Sequence, residues 1–112
     1  MKYSMFIGRW QPWHEGHRWL IDQRLNENKN VLICIRDTAT DSNNPYTPSE
    51  VKINVEKELK DLIENSRVKV MIIPDIESVN YGRGVGYGII EHVPPQEVGK
   101  ISATKIREKL FK

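Results

Sequence analysis

Tyr3-Ser4-Met5-Phe6-Ile7-Gly8-Arg9-Trp10-Gln11-Pro12-Trp13-His14-Glu15-Gly16-His17 is the stretch whose reading decides the fold. Tyr3 to Ile7 has the length and apolar content of a strand, and a loop follows at Gly8–His14. From His17 to Leu25, the residues Leu20, Ile21, Arg24 and Leu25 recur at helical spacing, so a helix should start near Gly16. Val31 to Ile35 is a second apolar run of strand length, and Cys34 within it reads as a small buried hydrophobe. Strand, loop, helix and strand in that order make a β-α-β unit with a parallel sheet.

The pattern then repeats. Asp37 to Pro48 is rich in Asp, Asn, Ser, Thr and Pro, which compete with or lack backbone hydrogen bonds and favour a loop. Thr47-Pro48-Ser49-Glu50 has the form of a capping box with proline at the first helical position, and Val51, Val55, Leu59 and Leu62 repeat on one face of a helix running to about Asn65. Val68 to Pro74 is a third strand. Tyr81 to Gly88 holds four of the seven glycines and matches no phosphate-binding glycine fingerprint; it reads as a mobile connection or a ligand-contacting lid. Gly88 to Val93 is expected as a further short strand before Pro94-Pro95, and a last helix should start at Ser102 with Ile106 and Leu110 on its buried side. The expectation is an α/β domain of three layers, with four or five parallel strands.

Composition narrows the class. At 112 residues, 38% hydrophobic and 29% charged, the chain suits one domain with one core. A net charge of +2 is too balanced for a general polyanion binder, and no motif for stacking on nucleic-acid bases is present. The mean hydropathy is −0.56 and no apolar run approaches the roughly 20 residues of a membrane span, so no membrane partner is expected. Met1–Ile7 is too short for a signal peptide, and a single cysteine excludes an internal disulfide framework, which together fit a cytoplasmic protein.

Two segments carry chemistry rather than packing. Gly8 to His17 places Arg9, His14 and His17 at a strand-to-helix junction. In a parallel sheet such a junction lies at the carboxyl edge, where a helix N-terminus attracts anions. Gly16 lets a phosphate approach the backbone, and His14 and His17, three apart, can lie on one side of the first turn and donate to phosphate oxygens. Ile101-Ser102-Ala103-Thr104-Lys105-Ile106-Arg107 again joins hydroxyls at a helix start to cations one turn later. From Val98 to Lys112 there are five Lys and Arg against one Glu, so the positive charge is local. Ser102, Thr104 and Arg107 suit a second phosphate or a pyrophosphate, with Arg107 binding two oxygens in a fork. Ser102 alone would read as an ordinary helix cap. A histidine pair is also a zinc spacing, but His92 and the strand-borne Cys34 are poor further ligands, so no metal site on protein side chains is expected.

Gly8 to His17 resembles the H-x-G-H signature of the nucleotidylyltransferase superfamily, in the G-R-F-Q-P-x-H-x-G-H form of its nicotinamide mononucleotide adenylyltransferase branch. Ile101 to Arg107 is similar to the superfamily's second signature, I-S-x-T-x-x-R, and Asn44-Pro45-Tyr46-Thr47 and Pro74-Asp75-Ile76 also resemble segments of that branch. Ile73 to Gly84 is similar to cytidylyltransferase-like domains fused to adenylylsulfate kinases. The resemblance implies a Rossmann-like fold and transfer of a nucleotidyl group from ATP or CTP to a phosphorylated small-molecule acceptor, with Mg²⁺ and release of pyrophosphate. It implies that His14 and His17 contact the triphosphate and the transition state. Ser102, Thr104 and Arg107 would hold the departing phosphates, and Arg9 would touch a phosphate.

Asp37 and Asp75, after the second and third strands, are candidates for binding the acceptor or holding Mg²⁺ through water, with loop capping as the alternative. Tyr81 and Arg83 are candidates for the acceptor pocket. Trp10 and Trp13 fit packing beneath the loop better than stacking on a base. The sequence departs from the branch in two places: only Ile76 to Lys100 separates the Pro-Asp segment from the second signature, and Glu50 is followed by Val51 where the branch often has arginine. A nucleotide-binding or regulatory module without transfer is the competing reading. A homo-oligomer that completes its pocket with a second subunit is a further expectation.

Overall fold

Three parallel strands and the helices between them form the structure, a computed structural model that describes residues 1–84 and 86–95. In chain order they are β1 (Tyr3–Gly8), α1 (Glu15–Leu25), β2 (Asn30–Asp37), α2 (Pro48–Glu58), α3 (Lys60–Glu64) and β3 (Val68–Pro74). The sheet order is β1-β2-β3, with Phe6 opposite Ile33 and Ile33 opposite Val70. β2 is therefore central, which is why its run is apolar on both faces rather than alternating.

Register decides which side chains share a face. Phe6, Val31, Ile33, Ile35, Val68, Val70 and Ile72 fall on one side, and they pack in a single cluster with Ile21 and Leu25 of α1 and Val51 and Val55 of α2. Both helices thus cover the same face. Two right-handed crossovers that step in the same direction across a sheet lead to this arrangement. The opposite face carries Met5, Leu32, Cys34 and Met71; Cys34 is buried there, while Met5 is 56% exposed. The described residues therefore build two layers and three strands, where three layers and four or five strands were expected. The helix predicted at Ser102 lies outside the described residues.

Two local expectations need correction. Gly88 to Val93 is not a strand: Ile89, Ile90 and Val93 are more than half exposed, and the segment joins no strand among the described residues. Apolar content is not sufficient for a strand, since its backbone groups need a partner. The helix expected from Thr47 to Asn65 is broken at Leu59 (φ −113°, ψ 22°), which stays buried in the core between α2 and α3. The predicted capping box is present: Thr47 Oγ1 accepts from the Glu50 amide, and the Glu50 carboxylate accepts from the Thr47 amide.

At the amino edge of the sheet, the Arg67 guanidinium donates to the carbonyls of Leu25 and Lys29 and to Asn30 Oδ1. It ties the end of α1 to the start of β3. Arg67→Ala should lower stability by about 1–3 kcal/mol, read as a lower urea midpoint at unchanged m-value. A midpoint equal to that of the parent would show that the staple contributes nothing.

Candidate functional site

The carboxyl ends of β1, β2 and β3, at Gly8, Asp37 and Pro74, lie along one edge of the sheet. At that edge the β1–α1 loop is built around Trp10. This residue is 5% exposed and sits at φ 54°, a left-handed conformation that costs a bulky side chain of the order of 1–3 kcal/mol. Its surroundings offset that cost. The indole N–H donates to the Cys34 carbonyl at 3.0 Å, and the ring lies over Gly8, where a Cβ would stand 3.0 Å from Trp10 Cε2. The packing reading of Trp10 therefore holds.

Gln11, next in the loop, is buried and polar. Its amide N–H donates to the Tyr46 carbonyl at 2.8 Å and its Oε1 accepts from the Tyr46 amide at 3.0 Å. This two-way pair joins the β1–α1 loop to the β2–α2 loop. The second loop is itself held by Asp41, whose carboxylate accepts from the amides of Asn43 and Asn44 and from the Asn44 side chain. The Asn44 amide is the main cause that holds the Asp41 carboxyl below its ordinary range, and the charge of Arg9 adds to it. Sequence reasoning missed Gln11, Asp41 and Asn44. Asp41 followed by Asn43 and Asn44 has the spacing of an Asx turn and was detectable; nothing in the sequence marked Gln11 as buried.

His14 and His17 come together. His14 is the N-cap of α1: its Nδ1 accepts from the Gly16 amide at 3.0 Å, and its own amide donates to His17 Nδ1 at 3.3 Å. The rings stack with centroids 3.7 Å apart and planes at 21°. His17 also meets Trp10 edge-on at 4.8 Å and Trp13 at 5.3 Å. The His14 carbonyl accepts from the amides of both His17 and Arg18. The amides of Gly16, His17 and Arg18 thus all have partners within the cap, and the imidazoles stand beside them as further donors for an anion. Burial lowers the pKa of His14. Burial, with the charge of His14 as the smaller cause, lowers that of His17 from 6.5 to about 3.

The other candidates are placed as follows. Arg9 is exposed at the end of β1, and Asp37 is exposed at the end of β2. Asp75 is bound by Arg36, whose Nη2 lies 2.7 Å from Oδ1 and also donates to the Ile76 carbonyl, so it fixes the chain leaving β3. Tyr81 and Arg83 are exposed and make no ring contact or ion pair with the histidines among the described residues. Ser102, Thr104 and Arg107 lie outside the described residues. A cavity of about 320 Å³ beside His14 is lined by Trp13, Glu15, Arg18, Glu58 and Leu59. Its two carboxylates make it a poor site for phosphate. Among the described residues, no group of three His, Cys, Asp or Glu is placed to hold a metal ion, and no helix is long and apolar enough to cross a membrane.

No model of a known protein family matches the chain. It is 31% identical over 81 residues to the nicotinamide-nucleotide adenylyltransferase of Thermoplasma acidophilum, an alignment covering 70% of this chain and 43% of the relative. It is 36% identical over 76 residues to that of Methanococcus aeolicus, covering 66% of this chain and 43% of the relative. It is 32% identical over 81 residues to that of Caldivirga maquilingensis, covering 70% and 46%. The chain thus spans less than half the length of these relatives.

The cap makes stability depend on pH. Between the ordinary pKa of 6.5 and the folded value of about 3, the unfolded chain binds a proton at His17 that the folded chain does not. Stability from this residue is therefore full above pH 6.5 and lost as pH falls toward 3, with a slope of at most about 1.4 kcal/mol per pH unit. Urea midpoints measured from pH 7 to pH 4 should fall, and His17→Gln, which keeps a capping acceptor, should flatten the fall. An unchanged slope in the variant would rule out His17 as its source. Gln11→Leu, which leaves the Tyr46 amide and carbonyl without the Gln11 amide, should cost about 1–3 kcal/mol in the same measurement.

Proposed function

We propose that the protein is a nucleotidylyltransferase that moves a nucleotidyl group from a nucleoside triphosphate to a phosphorylated small molecule and releases pyrophosphate. The observation that carries this reading is the stacked pair His14–His17, which caps a helix at the carboxyl edge of a parallel sheet. The names of the relatives favour ATP over CTP as donor and a nicotinamide nucleotide as acceptor.

In this reaction an acceptor phosphate oxygen forms a bond to the α-phosphorus, and the bond from the α-phosphorus to the β-phosphate oxygen breaks in line. No protein nucleophile is required, because the work is positioning and stabilisation of charge on the phosphoryl oxygens. The imidazoles of His14 and His17 donate to those oxygens, assisted by the positive end of α1. Arg9 attracts the polyphosphate, and Ser102, Thr104 and Arg107 hold the pyrophosphate as it departs. Asp37 is left for the acceptor or a bound ion, since Asp75 is committed to Arg36. Where Mg²⁺ is bound with the triphosphate, the exposed carboxylate of Asp37 would help hold it, and the ion would supply neutralisation of phosphate charge.

Pyrophosphate release with ATP or CTP, offered with nicotinamide mononucleotide and a panel of other phosphorylated acceptors, tests this reading. Release is expected with ATP and nicotinamide mononucleotide, and His17→Ala should lower kcat/KM by about 10²-fold or more. Nucleotide binding without release under any combination would instead identify a silent nucleotide-binding module.

A further inference from the structure

We infer that the helix cap itself holds both imidazoles as neutral Nε2–H tautomers, so that the pair grips a triphosphate as two uncharged donors and takes up no proton. The ligand in this inference rests on the function proposed above; the tautomers do not.

The argument begins with the two amide donors. A backbone N–H can only donate, and here one meets His14 Nδ1 and another meets His17 Nδ1. A ring nitrogen that accepts must keep its lone pair, and a neutral imidazole carries one hydrogen, so that hydrogen sits on Nε2 in both rings. A second proton on either ring would have to go to Nδ1. There it would face an amide hydrogen, and the reciprocal cap of α1 would open. With centroids 3.7 Å apart, a charge on one ring also opposes a charge on the other.

The surroundings offer little to stabilise an imidazolium. Trp10 and Trp13 pack on His17 as neutral rings. On the same helix are Glu15 and Arg18, Arg18 being paired with Asp22, and across the cavity from His14 lies Glu58 beside Leu59. Among the described residues, none of these carboxylates forms an ion pair with either imidazole. The lowered pKa values of both histidines agree with the same conclusion. Positive charge for the phosphates must then come from residues such as Arg9, and the histidines supply direction instead. A protonated pair would lose its grip as pH rises through the usual histidine range near 6.5, whereas a neutral pair keeps it.

Long-range proton–nitrogen correlation of the histidine rings in ¹⁵N-labelled protein at pH 7, with and without ATP and Mg²⁺, tests this directly. His92→Gln identifies the signals of the third histidine. Both His14 and His17 should show an unprotonated Nδ1 and a protonated Nε2 in each state. Calorimetry of ATP binding in two buffers of different ionisation enthalpy should give the same binding enthalpy. A hydrogen on Nδ1 of either ring, a doubly protonated ring with ATP bound, or uptake of about one proton per ATP would overturn the inference. If ATP does not bind, the proposed function fails, and the spectra of the protein alone still decide the tautomers. His17→Gln keeps a side-chain acceptor at the third helical position, so the fold survives, and His14 in that variant should retain its Nε2–H form.

Discussion

The indole of Trp10 joins the core to the site. Its N–H is bonded to the carbonyl of Cys34 in the central strand, its face occupies the space that Gly8 leaves by lacking a Cβ, and its ring meets the edge of His17. Those three contacts hold a bulky residue at positive φ and set the path of the loop into α1. Without that path, His14 would not stand at the N-cap and the two imidazoles would not stack.

From this joint the site is assembled by polar pairs that are buried or half-buried, and therefore depend on good geometry. Gln11 fastens the loop to Tyr46, Asp41 shapes the segment that delivers Tyr46, and Thr47 starts α2 immediately afterwards. The histidine loop and the β2–α2 loop are thus linked through the backbone of Tyr46. The same economy governs the helix entrance. His14 uses its ring and its carbonyl to satisfy the amides of Gly16, His17 and Arg18, so these backbone donors are occupied by the cap and the two imidazoles stand at the helix entrance.

The proposed nucleotidyl transfer draws support from similarity to archaeal nicotinamide-nucleotide adenylyltransferases and from the stacked histidine pair at the carboxyl edge of the sheet. The aligned stretches are less than half of those relatives.

The sequence by itself determined the three strands through Pro74 and the helical segments between them, the capping box at Thr47, the burial of Cys34 and the meeting of His14 with His17. Each of these is written in local spacing: alternating runs, a hydroxyl three residues before a glutamate, two histidines one helical turn apart. Tertiary structure decided the rest. Whether Gly88 to Val93 forms a strand depends on a partner that local apolar content cannot supply, and the break at Leu59 depends on what that side chain packs against. Asp37 and Asp75 looked equivalent as residues at strand ends, yet only Asp75 pairs with Arg36: β2 and β3 run side by side with Arg36 opposite Ile73, which brings the chain leaving β3 to the Arg36 guanidinium although the two residues are distant along the chain. Gln11 shows the same limit most clearly, since it makes two hydrogen bonds to a residue thirty-five positions away.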